Sequence, residues 1–155
     1  MLRMNKLADY GTVVMVHLAK TEEKLSARDI AGETHLSLTT VSKVLKRLAT
    51  EGLLVSQRGS KGGYQLSKHA KEISITDILY ALDETRGLTS CSHEPETCAL
   101  HRVCHVEENW RKISLSIERA LKSVSLEDLA TPVLPESKLK HIEVVVTGAN
   151  RVKSQ

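Results

Sequence analysis

Apolar residues in the first fifty positions recur at helical spacing, and the period then shortens. Tyr10, Val14, His17 and Leu18 stand at i, i+4, i+7 and i+8, which is one helical face, and predict a helix over 5–20. The charged turn TEEK closes it. Ser26 offers an N-cap to a short second helix, ARDIAGE, with Ala27, Ile30 and Ala31 inward. Ser37 caps a third helix whose buried stripe is Val41, Val44, Leu45 and Leu48, and Glu51-Gly52 ends it. LLVSQR and GYQLS then read as two short strands joined by Gly59-Ser60-Lys61-Gly62-Gly63. Three helices followed by a hairpin with a basic, glycine-rich tip is the order of a winged helix-turn-helix.

The second half of the chain returns to helical spacing. Ile75, Ile78, Leu79 and Leu82 predict a fourth helix over about 75–85. Val106, Trp110, Ile113, Ile117, Ala120 and Val124 recur at alternating steps of four and three, the seam of a long helix packed on another helix. A long helix after a small domain has little of its own chain to bury against, so the seam points to a homodimer. The fold class expected is mainly α: a winged helix-turn-helix with a small β-hairpin wing over 1–70, a cysteine loop and dimerisation helix over 71–130, and a flexible tail over 131–155. Pro132, Pro135 and the isolated apolar patch IEVVV at 142–146 lie in that tail.

Composition narrows the class. The chain has 155 residues, of which 41% are hydrophobic, with no Phe and one Trp, so the core must be aliphatic. No uninterrupted apolar run reaches the roughly eighteen residues of a membrane span. The N-terminus MLRMNKLADYG lacks the apolar region of a secretory signal. An odd cysteine count argues against a disulfide framework, and a reducing cytoplasm is expected. Net charge is +3 but unevenly spread. Lys43, Lys46, Arg47, Arg58, Lys61 and Lys68 stand against Glu51 over 37–68, whereas acids outnumber Arg86 and Arg102 over 72–108. A basic half beside an acidic half fits a polyanion-binding module joined to a part that must avoid DNA.

In a helix-turn-helix the third helix enters the major groove with its N-terminal residues foremost. Those are Ser37, Leu38, Thr39, Thr40, Ser42 and Lys43. Hydroxyls reach base edges or phosphates, and threonine methyls can touch a thymine methyl. Lys46 and Arg47 are placed for phosphates. At the wing tip, Arg58 and Lys61 flank glycines that permit close approach to a phosphate backbone or a minor groove. The expected partner is a double-stranded DNA operator.

The only cysteines, Cys91, Cys98 and Cys104, fall within CSHEPETCALHRVC. Thiols gathered this tightly bind soft metals or iron–sulfur clusters. Three thiolates leave a fourth position open, with His93, His101, His105 and Glu107 as nearby candidates. A zinc site of three cysteines and one histidine is the rival. The spacing, six residues then five, lacks the close pairs of a zinc ribbon. No nucleophile–base arrangement, phosphate loop or paired carboxylates point to an enzyme.

LADYG near the N-terminus, LSLTTVSKVLKRLATEGLLVSQRGSKGGYQLSK, ITDILYALDE, and three cysteines before a helix bearing Trp110 together resemble the IscR/NsrR family of winged-helix iron–sulfur regulators. The resemblance covers nearly residues 1–130 and is greatest to regulators of the SUF iron–sulfur assembly operon. It implies a homodimer with a long dimerisation helix, and an iron–sulfur cluster, two-iron rather than four-iron, on Cys91, Cys98 and Cys104. Two departures matter. Six residues rather than five separate Cys91 from Cys98, and Glu107 stands where IscR-like members place a histidine. NsrR-like members use an aspartate of an N-terminal TDYG-like motif supplied by the partner subunit. Asp9 in ADYG matches it, which makes Asp9 the preferred fourth ligand, before Glu107 and His105. The alternative for Asp9 is an ordinary first-turn acid favoured by the helix dipole. The function implied is a dimeric repressor of iron–sulfur assembly genes. A nitric oxide or redox stress sensor, and a zinc-stabilised structural winged helix, are the alternatives.

Overall fold

A computed structural model describes residues 4–59, 62–83, 88–101 and 103–131. Helix α1 (Lys6–Leu18) is capped by Asn5, whose side chain accepts from Ala8 N at 2.7 Å. Ser26 caps α2 (Ala27–Thr34) and Ser37 caps α3 (Leu38–Thr50), as their sequence positions predict. Val41, Val44, Leu45 and Leu48 of α3 are fully buried. They meet Val14, Met15 and Leu18 of α1 and Ile30 of α2 in one aliphatic core. Each such side chain contributes about 1.5–3 kcal/mol on leaving water. Tyr10 and His17 sit at the edge of that face and are half-buried.

The hairpin follows. Strands β1 (Leu54–Gln57) and β2 (Gly63–Leu66) pair antiparallel, Leu54 opposite Leu66 and Gln57 opposite Gly63. Leu25, between α1 and α2, bridges to Tyr64: Leu25 N donates to Tyr64 O at 3.1 Å, and Tyr64 N to Leu25 O at 2.8 Å. A Cβ on Gly63 would meet Leu25 O at 2.7 Å, so only glycine allows this approach. Lys24 adds a hydrogen bond to the side chain of Gln57. The wing is thus braced against the helical unit by a segment that carries no strand pattern in the sequence.

Helix α4 (Ile75–Leu82) stops at Leu82, short of the predicted 85, because the Asp83 backbone turns extended; residues 84 and 85 lie outside the described set. The cysteine stretch, predicted as a loop, contains the short helix α5 (Ser90–His93) and a 3-10 turn over Pro95–Thr97. The long helix α6 (Glu107–Lys122) follows, and then α7 (Leu126–Ala130), which the sequence reading did not foresee. The α6 seam divides. Ala120 and, just beyond the helix, Val124 turn into the chain's own interior, Ile117 is half-buried, and Val106, Trp110 and Ile113 are exposed.

The core runs past residue 70. Ile73, Ile78, Ala81, Leu82 and Leu126 belong to the same buried cluster as the three N-terminal helices. Leu126 N donates to Ile73 O at 2.7 Å and Ile75 N to Val124 O at 3.0 Å, so the chain after α6 is stitched beside the start of α4. Among the described residues no helix is long and apolar enough to cross a membrane. Most of the predicted tail, 132–155, lies outside the described residues.

Candidate nucleic-acid interface and cysteine loop

Helix α3 stands outward with its first turn. Ser37, Leu38, Thr39, Ser42 and Lys43 are exposed, and Thr40 is half-buried. Ser37 Oγ accepts from Thr40 N at 3.2 Å and lies 2.8 Å from Thr40 Oγ1. These two hydroxyls therefore serve the helix end first. Among the described residues Thr39 and Ser42 carry no such bond, which leaves their hydroxyls for another partner. Lys46 is exposed and Arg47 half-buried further along the helix. With Lys43, Thr50 and Glu51 they line a shallow cleft of about 330 Å³. Arg58 projects from the end of β1 and is exposed. Lys61 lies outside the described residues. Of the predicted DNA-contacting cations, Lys43, Lys46 and Arg58 are thus solvent-facing on α3 and the wing, the two elements a winged helix presents to a duplex.

The turn into α3 is set by His35, the C-cap of α2, in the left-handed conformation at φ 57°. Asp29 holds the other end of α2. Its carboxylate accepts from Ser26 N at 3.1 Å and Ser26 Oγ at 2.6 Å. The Ser26 hydroxyl, and next its backbone N–H, hold the Asp29 carboxyl below its ordinary pKa.

The three cysteines are all free. Cys91 is buried in α5 beside α6, its Sγ 3.2 Å from Thr89 Oγ1. Leu88 N donates to Ser114 Oγ at 3.2 Å, tying the start of this segment to a buried position of α6. Cys98 and Cys104 are half-buried. Cys98 and His101 line an open cleft of about 470 Å³ with Glu96, Ala99 and Val103. Of the fourth-ligand candidates, Glu107 is engaged with His101, Oε2 to Nδ1 at 2.9 Å. His105 is exposed, and Asp9 is exposed in the first turn of α1. The side chain of His93 lies outside the described set.

In kind, the donor set fits a soft metal or a cluster: three free thiols, each within or next to the α5–α6 segment. Within one chain, and among the described residues, no three of His, Cys, Asp and Glu are drawn together as a metal site. Thr89, Ser114 and Leu25 are positioning residues that the sequence reading did not single out. Small polar and lone aliphatic residues carry no pattern that marks them.

Known proteins match this architecture. A family model described as an iron-dependent transcriptional regulator, Rrf2, matches residues 4–132. The chain is 32% identical over 130 residues to the HTH-type transcriptional regulator IscR of Photorhabdus laumondii, covering 83% of this chain and 79% of that protein. It is 29% identical over 130 residues to protein rrf2 of Nitratidesulfovibrio vulgaris, covering 83% of this chain and 87% of that protein. Among solved structures, CymR, the global cysteine regulator of B. subtilis, superposes with a TM-score of 0.66 at 30% identity, covering 84% of this chain and 97% of that one. The IscR of T. potens shares the fold with a TM-score of 0.64 at 24% identity, covering 99% of this chain and 94% of that one. The family resemblance read from the residues is borne out, as is the mainly helical winged-helix fold. The chain belongs to the Rrf2 family of helix-turn-helix transcriptional regulators, DNA-binding proteins rather than enzymes.

Proposed function

We propose that this chain is a cytoplasmic, homodimeric repressor of iron–sulfur assembly genes that senses through an iron–sulfur cluster. The observation that carries the reading is the set of three free cysteines on the segment packed against α6, in a chain whose family model is described as iron-dependent. Cys91, Cys98 and Cys104 would hold the group, with Asp9 of a partner subunit the fourth donor suggested by the resemblance. When bound, a cluster supplies a centre whose stability responds to oxidants and to diatomic ligands.

The rest belongs to the chain itself. Thr39, Ser42 and Lys43 face base edges, with Ser37 and Thr40 securing the end of α3. Lys46, Arg47, Arg58 and Lys61 take phosphates. The exposed residues Val106, Trp110 and Ile113 supply the dimer seam.

Two measurements test this. Protein purified without oxygen should be brown, and each of Cys91→Ala, Cys98→Ala and Cys104→Ala should remove the visible absorption. A colourless protein that takes up zinc and stays colourless after reconstitution with iron and sulfide sinks the sensor reading. Independently, Arg58→Ala with Lys61→Ala should weaken binding to any duplex. It should also flatten the salt dependence by about one unit of slope per lost phosphate contact. An unchanged slope removes the wing from the interface.

A further inference from the structure

The apolar stripe of α3 does not stop where the core stops. Leu38, Val41 and Leu45 stand at i, i+3 and i+7, one helical face, yet Val41 and Leu45 are fully buried while Leu38 is 46% exposed. A lone exposed leucine is ordinary on a protein surface. This one is the first residue of the helix whose N-terminal end meets the bases when a helix-turn-helix docks.

Its surroundings sharpen the point. The exposed residues around it, Ser37, Thr39, Ser42 and Lys43, are all polar. The Ser37–Thr40 cap fixes the backbone of the first turn, and so the direction in which the Leu38 side chain leaves it. Helical side chains lean toward the N-terminus, which carries Leu38 beyond the helix end rather than back along it. Phosphates and base-edge amides do not reward an aliphatic group. The major groove offers one group that does, the 5-methyl of thymine.

We propose that Leu38 is a specificity-determining residue that packs on a thymine methyl in each half-site, beside hydrogen bonds from Thr39 or Ser42. This rests on the DNA-reading role given to α3 above.

The test uses the full-length chain, metal-free and after reconstitution with iron and sulfide. Each form selects binding sites from a random duplex pool. Every thymine of the enriched site is then replaced in turn by deoxyuridine, which removes the methyl and no hydrogen bond. At one thymine per half-site the wild type should lose about three- to fivefold in affinity, the worth of one buried methyl. Leu38→Ala should be indifferent to that replacement while responding normally at other positions, and Leu38→Met should keep the sensitivity. Leu38→Ala should also keep the wild-type far-UV circular dichroism spectrum, which shows that it is folded. The proposal is overturned if the methyl effect persists in Leu38→Ala, if it vanishes instead in Thr39→Ser, or if no thymine methyl matters. If neither form enriches any sequence, the DNA-reading role of α3 fails first, and Leu38 with it.

Discussion

His35 shows how one residue shapes the reading surface. It ends α2 in the left-handed region, where a side chain with a Cβ is strained and glycine is not. The turn it makes sets the angle between α2 and α3. His35→Gly should therefore raise stability by up to about 1 kcal/mol, whereas His35→Val should lower it, read as midpoints of urea unfolding. No destabilisation on adding a β-branched side chain would mean that the turn relaxes freely. Asp29 makes a second residue-scale case. Its folded-state pKa is depressed, chiefly by the Ser26 hydroxyl. A depressed carboxylate contributes stability that is present above its unfolded pKa and lost as pH falls through the folded one. Asp29→Asn should thus flatten the acid limb of stability below about pH 4 and change its slope little near neutrality. An acid limb unchanged in Asp29→Asn would place that dependence on other groups. The capping serines were legible because the chemistry is local: Ser26 and Ser37 sit where their hydroxyls must be. His35 was not, because nothing about histidine announces a left-handed turn, and the nearby Gly32 lies inside α2 instead.

Among the elements, legibility followed the length of the periodic pattern. Helix α3 spans 13 residues and its four stripe positions are all buried, as its sequence predicts. Helices α5 and α7 have 4 and 5 residues, too few for a face to repeat, and neither was foreseen. A signal for α7 did exist. Ser125 and Asp128 form the same reciprocal cap as Ser26 with Asp29 and Ser74 with Asp77. Helix α6 was legible as a helix, but the chain itself covers only part of its seam. Ala120 packs inside the chain while Val106, Trp110 and Ile113 stay exposed, Ile113 at 44%. Periodicity reports that a face is apolar and not which molecule covers it. That division makes the proposed dimer testable without unfolding the chain. Ile113→Glu puts a charge where the single chain leaves it in water but a helix pair would bury it, at a cost of several kcal/mol. The variant should elute as a folded monomer in light scattering, with far-UV circular dichroism like the wild type. A dimer as stable as the wild type would move the seam elsewhere on α6. The cysteines were legible only as a donor set, since spacing along the chain does not encode contacts between distant segments or subunits, on which the proposed fourth ligand Asp9 would depend.

At the scale of the molecule, the helix before the cysteine segment and the chain just past α6 are both rooted in the core of the winged helix. Leu82 ends α4, which leads into the cysteines, and it packs so closely on α1 that a Cβ on Gly11 would stand 1.9 Å from its Cδ1. Gly11 lies one half-turn beyond Asp9 on the same helix. Leu126, just past α6, is fully buried in that same core, held by its N–H to Ile73 O. Helix α6 packs on α4 and α4 on α1, so a displacement of α6 reaches the N-terminal helices through packed side chains, which is the physical condition for the proposed sensing to alter DNA reading. The core further implies that the winged helix and the cysteine-bearing segment of one chain unfold together. Leu126→Ala removes buried methyl groups and should cost about 2–5 kcal/mol, the range for leucine truncation in a packed interior. Although the substitution lies some sixty residues beyond the wing in sequence, it should lower the midpoint for the whole winged helix. Trp110, the only tryptophan, reports on α6 by fluorescence, and far-UV circular dichroism reports on all helices. The two should show coincident transitions in wild type and variant alike. A fluorescence transition that shifts alone, leaving the dichroism midpoint where it was, would separate α6 from the core and remove this route between cysteines and DNA.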